Sequence, residues 1–183
     1  MLEITIPGGE FYNAETNRFS YTKETKVQLE HSLLSISKWE SKWKKPFLDG
    51  KRRTRLEFID YVRCMSLTKN VDPKVYQNLT NENVAKIELY MDDAMSATVI
   101  REQGNQNRSR EPITSELVYY WMTACQIPFE CEKWHFNRLM TLIRLCNKKN
   151  EQAVPGKKTK QSDLYSKYRA INEANRRKYN SRG

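Results

Sequence analysis

The chain opens with a two-residue period. Leu2, Ile4 and Ile6 alternate with Glu3 and Thr5, and Val27, Leu29 and His31 alternate with Gln28 and Glu30. Each set predicts a half-buried strand. Pro7-Gly8-Gly9 breaks the first strand, and residues 13–17 read as a loop before Phe19-Ser20-Tyr21. A small antiparallel sheet is the simplest account, and so few strands need helices to pack on.

After Ser32 the period lengthens to that of a helix. Leu33, Ile36, Trp39 and Trp43 form one apolar stripe running toward Pro46, and residues 54–67 repeat the pattern with Phe58, Val62 and Met65. Asp72 before Pro73 is a helix start, because proline's missing N–H costs nothing at the first helical position. Thr80 is a second cap, with Leu79 and Val84 spaced as a hydrophobic staple. The helix that follows is expected to turn Val84, Ile87, Met91 and Met95 inward.

Residues 101–111 contain no apolar side chain and read as a solvated loop. Thr114 caps the next helix, whose interior from Leu117 to Cys125 is apolar nearly all round and is expected to be the central buried one. Ile127-Pro128-Phe129 makes a corner. A last body helix is expected over 131–147, burying Leu139, Leu142, Ile143 and Cys146. Val154-Pro155-Gly156 then separates a tail in which Ser162 caps a thin stripe of Leu164, Tyr168, Ile171 and Tyr179. A stripe that narrow makes a weak helix on its own.

The reading is therefore mainly α with a small N-terminal antiparallel β element, an α+β fold. Residues 1–31 supply the strands, 32–147 the helical body and 148–183 a basic tail. The 183 residues carry 32 Lys and Arg against 22 Asp and Glu, a net charge of +10. Eleven of those cations and only three of the acids lie after Asn147, so the tail alone holds +8. Such a segment suits an anionic partner, either acidic protein surface or nucleic acid phosphates. The longest strictly apolar run is six residues, 117–122, far short of the roughly 20 that cross a bilayer. The first residues lack the basic-then-apolar order of a signal peptide. Four cysteines in such a chain read as buried thiols of a reducing cytoplasm.

Catalytic patterns are missing. No glycine loop is followed by Lys-Ser/Thr, no nucleophile elbow occurs, and only two histidines are present. His31 reads as a hydrogen-bonded, semi-buried residue continuing its strand. Cys125, Cys131, His135 and Cys146 are the nearest thing to a metal set, but their spacing matches no zinc knuckle. Asp92 and Asp93 point about 100° apart on a helix and share no substrate. No catalytic, metal or cofactor site is expected. Trp39, Trp43, Trp121 and Trp134 all follow apolar stripes, which makes core packing the simple account. For Trp39 and Trp43, one face of one helix, a partner groove is the alternative.

Four segments go further than periodicity. Residues 29–41 (Leu-Glu-His-Ser-Leu-Leu-Ser-Ile-Ser-Lys-Trp-Glu-Ser), 60–65 (Asp-Tyr-Val-Arg-Cys-Met), 115–122 (Ser-Glu-Leu-Val-Tyr-Tyr-Trp-Met) and 127–135 (Ile-Pro-Phe-Glu-Cys-Glu-Lys-Trp-His) resemble the tail assembly chaperones of long non-contractile-tailed bacteriophages. The resemblance runs over most of the chain, including the basic end. It implies a non-catalytic protein of the infected host's cytoplasm that binds the tape-measure protein, with tail-tube subunits as further clients. The candidate partner-binding residues are then Trp39, Trp43, Lys157, Lys158, Lys160, Leu164, Tyr168, Ile171, Arg176 and Arg177. The alternative is a virion structural, connector or nucleic-acid-binding phage protein acting through the same basic tail.

Overall fold

In a computed structural model, residues 1–13, 17–100, 112–153 and 168–173 are described. Residues 1–145 form one compact unit and residues 146–183 a second. The fold is mainly α with a small antiparallel N-terminal β element, as the periodicities imply.

Four short strands make a ribbon in two nested pairs. Strand β1 (Leu2–Ile6) runs antiparallel to β4 (Thr25–Leu29), and β2 (Gly9–Asn13) runs antiparallel to β3 (Arg18–Thr22). Leu2 faces Leu29 and Ile4 faces Val27, so the apolar sets of both outer strands land on the same, inward side. Ile6, Val27 and Leu29 are fully buried there. The break between the pairs falls at Pro7-Gly8. A methyl group on Gly8 would lie 2.6 Å from the Thr22 carbonyl oxygen, so only glycine fits this close approach. Beyond the break the ribbon leaves the core, and one face shows Tyr12, Phe19 and Tyr21 to solvent.

Other parts of the chain bond to both edges of the β1–β4 pair. The Leu67 N–H donates to Gln28 O, and the Glu30 N–H donates to Met65 O, which fixes residues 65–68 along β4. On the β1 side, Asn83 donates to Thr5 O and Asn78 to Pro7 O through their amide side chains.

Helix α1 (Leu33–Trp43) starts on Ser32 with a reciprocal cap to Ser35 and stops at Lys44, which adopts φ +53°. Helix α2 (Arg55–Met65) starts with the capping box of Thr54 and Glu57. Leu33, Ile36, Trp39, Tyr61, Val62 and Met65 interlock at this contact and are all but fully buried. A 3-10 turn (Pro73–Asn78) begins on Asp72, and α3 (Asn81–Asp92) begins on Thr80. Helix α4 (Ser115–Ala124) packs on α1, and a second 3-10 turn (Phe129–Lys133) leads to α5 (Phe136–Ala153). Phe136, Leu139 and Ile143 of α5 complete the core of the first unit.

Four expectations need correction. Helix α3 turns in Asn83, Ile87 and Tyr90, whereas Val84 and Met91 are half-buried and Met95 lies beyond the helix at φ +47°. The bond from Asn83 to Thr5 sets that rotation. Helix α4 is not buried all round: only Ser115, Val118 and Met122 face inward, and Tyr120 is 67% exposed. Its tyrosines carry hydroxyls that reach outward, Tyr119 Oη donating to Glu132 at 2.7 Å. The last body helix begins at Phe136 rather than near Cys131. Residues 134–136 are drawn out straight because the Phe136 N–H donates to His31 O at 2.7 Å and His135 pairs with Ser32. Leu142 and Cys146 are half-buried rather than core.

Candidate functional site

Two of the sequence-derived candidates are structural. Trp39 is 2% exposed and donates from Nε1 to Glu57 O at 2.9 Å, which locks α1 to α2. Trp43 stacks on it and donates to Asp60 Oδ2, also at 2.9 Å. The Trp39 ring is closed to a partner, whereas Trp43 keeps part of its ring at the surface. Core packing holds fully for Trp39 only; Trp43 and Trp121 are half-buried, and Trp134 sits under the Arg138 guanidinium at 36% exposure. Trp43 stays near the surface because Asp60 is also bonded to Lys42. In the second unit Tyr168 and Ile171 stand exposed on a helical stretch, residues 168–173. Lys157, Lys158, Lys160, Leu164, Arg176 and Arg177 lie outside the described residues.

A buried polar network crosses the first unit. His31 Nδ1 is 2.5 Å from Tyr61 Oη, and Ser35 Oγ is 3.3 Å from the same hydroxyl. Ser35 Oγ donates to Ser32 O at 2.7 Å, which ties the pair to the start of α1. Burial, with His135 and Arg53 nearby, lowers the His31 pKa to about 3. Burial likewise drives the Tyr61 hydroxyl above its ordinary value. His135 donates from Nε2 to Tyr90 O, while its Nδ1 accepts from the Asn137 N–H. Glu40 is a bridge: Oε1 accepts from the Phe47 N–H at 2.6 Å and Oε2 from the Ser115 N–H at 2.8 Å. These groups hold elements together, and two of them also border cavities, Tyr61 one of about 800 Å³ and His31 one of about 400 Å³. Among the described residues no cluster of His, Cys, Asp and Glu could hold a metal ion.

The open feature is a groove of about 800 Å³ between α2 and α3, two helices that barely touch. Phe58 and Ile59 of α2, Val84 and Met91 of α3, and Leu79 make its apolar floor. Spacings of four and three residues put Val84, Glu88 and Met91 on one face of α3. Residues 47–54, which join α1 to α2, close one end as a strap. Arg53 fastens this strap: its guanidinium donates to Phe47 O and lies 3.6 Å over the Phe47 ring. Its Nε is buried without a hydrogen-bond partner, and burial pulls its pKa below the usual guanidinium value. Two smaller cavities, about 400 and 290 Å³, also border the strap.

The groove is electrically two-sided. Lys51, Arg52, Arg53 and Arg55 line it from the strap and the start of α2, and Glu88 and Asp92 line it from α3. Lys45 and the Thr54 cap hold the neighbouring Glu57 carboxyl at about 2, so it stays charged and committed to its own helix. Burial raises Asp60, but the Lys42 ammonium and the Trp43 N–H outweigh it and leave the group below its ordinary value. Sequence reading missed this groove. Its signal was the run Lys51-Arg52-Arg53-Thr54-Arg55 directly before an amphipathic helix.

The chain matches no protein-family model, no curated protein and no solved structure. Among the described residues no helix is long and apolar enough to cross a membrane.

Proposed function

We propose that the protein is a non-catalytic tail assembly chaperone of a long non-contractile-tailed bacteriophage. It acts in the cytoplasm of the infected bacterium and binds the tape-measure protein, with tail-tube subunits as further clients. One observation carries the reading. The four segments that resemble this family contain His31, Ser35, Glu40, Asp60, Tyr61 and His135, whose side chains make buried hydrogen bonds, and Ser115, whose N–H is bonded to Glu40. Generic amphipathic helices would resemble one another at apolar positions. Buried polar groups are more specific, because each needs its own counterpart.

The groove between α2 and α3 supports the same reading. A protein that keeps a long client helix apart from its neighbours must cover an apolar face and later release it. An open trough with an apolar floor and charged walls suits reversible helix docking. The test is co-expression with the tape-measure protein of the same phage, followed by mass spectrometry of finished particles. The chaperone should keep its client in the soluble fraction and be missing from purified virions. Its presence there at fixed copy number would instead make it a virion structural or connector protein, acting through the tail whose charge is +8.

A further inference from the structure

We infer that the α2–α3 groove takes an amphipathic helix of another protein, and that it selects one carrying acidic residues along one flank and basic residues along the other. Helices α2 and α3 have 11 and 12 residues, so each wall is about 16–18 Å long, near three helical turns. Val84 and Met91, seven residues apart, share one face of α3, and the neighbours Phe58 and Ile59 present one apolar turn of α2 opposite them. A third helix laid between them would bury one apolar stripe at intervals of three and four residues.

Charge decides which helix. Among the described residues Arg52 and Arg55 have no ion-pair partner, and neither do Glu88 and Asp92. Arg52, Arg55, Glu88 and Asp92 are all exposed. Unpaired charges of opposite sign, cations on the strap and the first residue of α2 and acids on α3, disfavour an occupant that is acidic or basic on both flanks. They accept one whose acidic flank meets Arg52 and Arg55 and whose basic flank meets Glu88 and Asp92. The inference rests on the chaperone reading only for the identity of the client.

The test uses the full chain and a fluorescent helical peptide of about 18 residues, long enough to overrun the groove at about 27 Å. The peptide carries a leucine stripe, Glu on one flank and Lys on the other; a second peptide carries Lys on both. The mixed-flank peptide should bind saturably and more tightly than the all-Lys peptide. Arg52→Glu with Arg55→Glu should weaken the mixed peptide by about tenfold or more and strengthen the all-Lys one. Both arginines are exposed, so an unchanged unfolding midpoint certifies the variant's fold. Equal affinity for the two peptides, no saturable binding, or an unmoved Kd in the double variant would overturn the inference. So would tighter binding of a peptide copying residues 160–180 of this chain. Capture of the tape-measure protein by the double variant at full affinity would remove the groove and leave the chaperone reading intact. Correct peptide selection without any tape-measure capture would do the reverse.

Discussion

The Tyr61 hydroxyl and Nδ1 of His31 are hydrogen-bonded across 2.5 Å in the middle of the first unit. With the imidazole pKa lowered to about 3 by burial and by His135 and Arg53, the folded chain keeps that ring neutral at neutral pH.

Stability should consequently fall with acid in a defined window. Above about pH 6.5 the histidine is neutral in both the folded and the unfolded chain, and its contribution is complete. Between about 6.5 and 3 the unfolded chain takes up a proton that the folded chain refuses, so stability drops by at most about 1.4 kcal/mol per pH unit from this group. Below about 3 the loss is complete. Thermal unfolding midpoints of the wild type should decline from pH 6.5 to 5, before most carboxylates titrate. His31→Gln, whose amide can still bond the Tyr61 hydroxyl without titrating, should be flatter over that interval. An equal slope in both proteins would refute the assignment.

Glu40 makes a second prediction. Its two oxygens serve the Phe47 and Ser115 amides, one in the strap and one in the first turn of α4, where the helix dipole also favours negative charge. Glu40→Ala strands two buried N–H groups and should cost about 3 kcal/mol or more in urea unfolding. Glu40→Gln keeps one acceptor and should cost about 1–2 kcal/mol.

Lys44 should respond in the opposite direction. It ends α1 in the left-handed region at φ +53°, with its N–H bonded to Glu40 O. A side chain gains nothing from that backbone, which glycine adopts freely. Lys44→Gly is expected to raise stability by about 0.5–1 kcal/mol, seen as a higher urea midpoint with an unchanged slope.

What was legible in the sequence was local. Asp72, Thr80 and Thr114 cap their helices as read from the sequence, because a cap is a bond between near neighbours. The alternation of Leu2, Ile4 and Ile6 against Val27 and Leu29 gave the sheet its inward face for the same reason. What escaped was set by distant partners. Asn83 turned α3 by reaching Thr5, 78 residues away, and Glu40 met Ser115 across 75. Apolar content overstated the burial of α4 because tyrosine counts as apolar in a stripe and behaves as polar at its tip. The groove escaped because it exists only where two helices, each ordinary by itself, fail to meet. The tail drew the sequence reading by its charge, and most of its named residues lie outside the described ones.

The side-chain amides of Asn78 and Asn83 have a consequence for the company this chain can keep. Together with residues 65–68 they bond along the β1–β4 pair and its ends at Thr5, Pro7, Gln28 and Glu30. An uncovered strand margin is a template onto which any extended chain can add, and addition once begun repeats itself into insoluble fibres. Here those main-chain positions are already taken by the protein's own groups. Whatever it grips, these stretches of the sheet offer nothing on which an unfolded neighbour could nucleate.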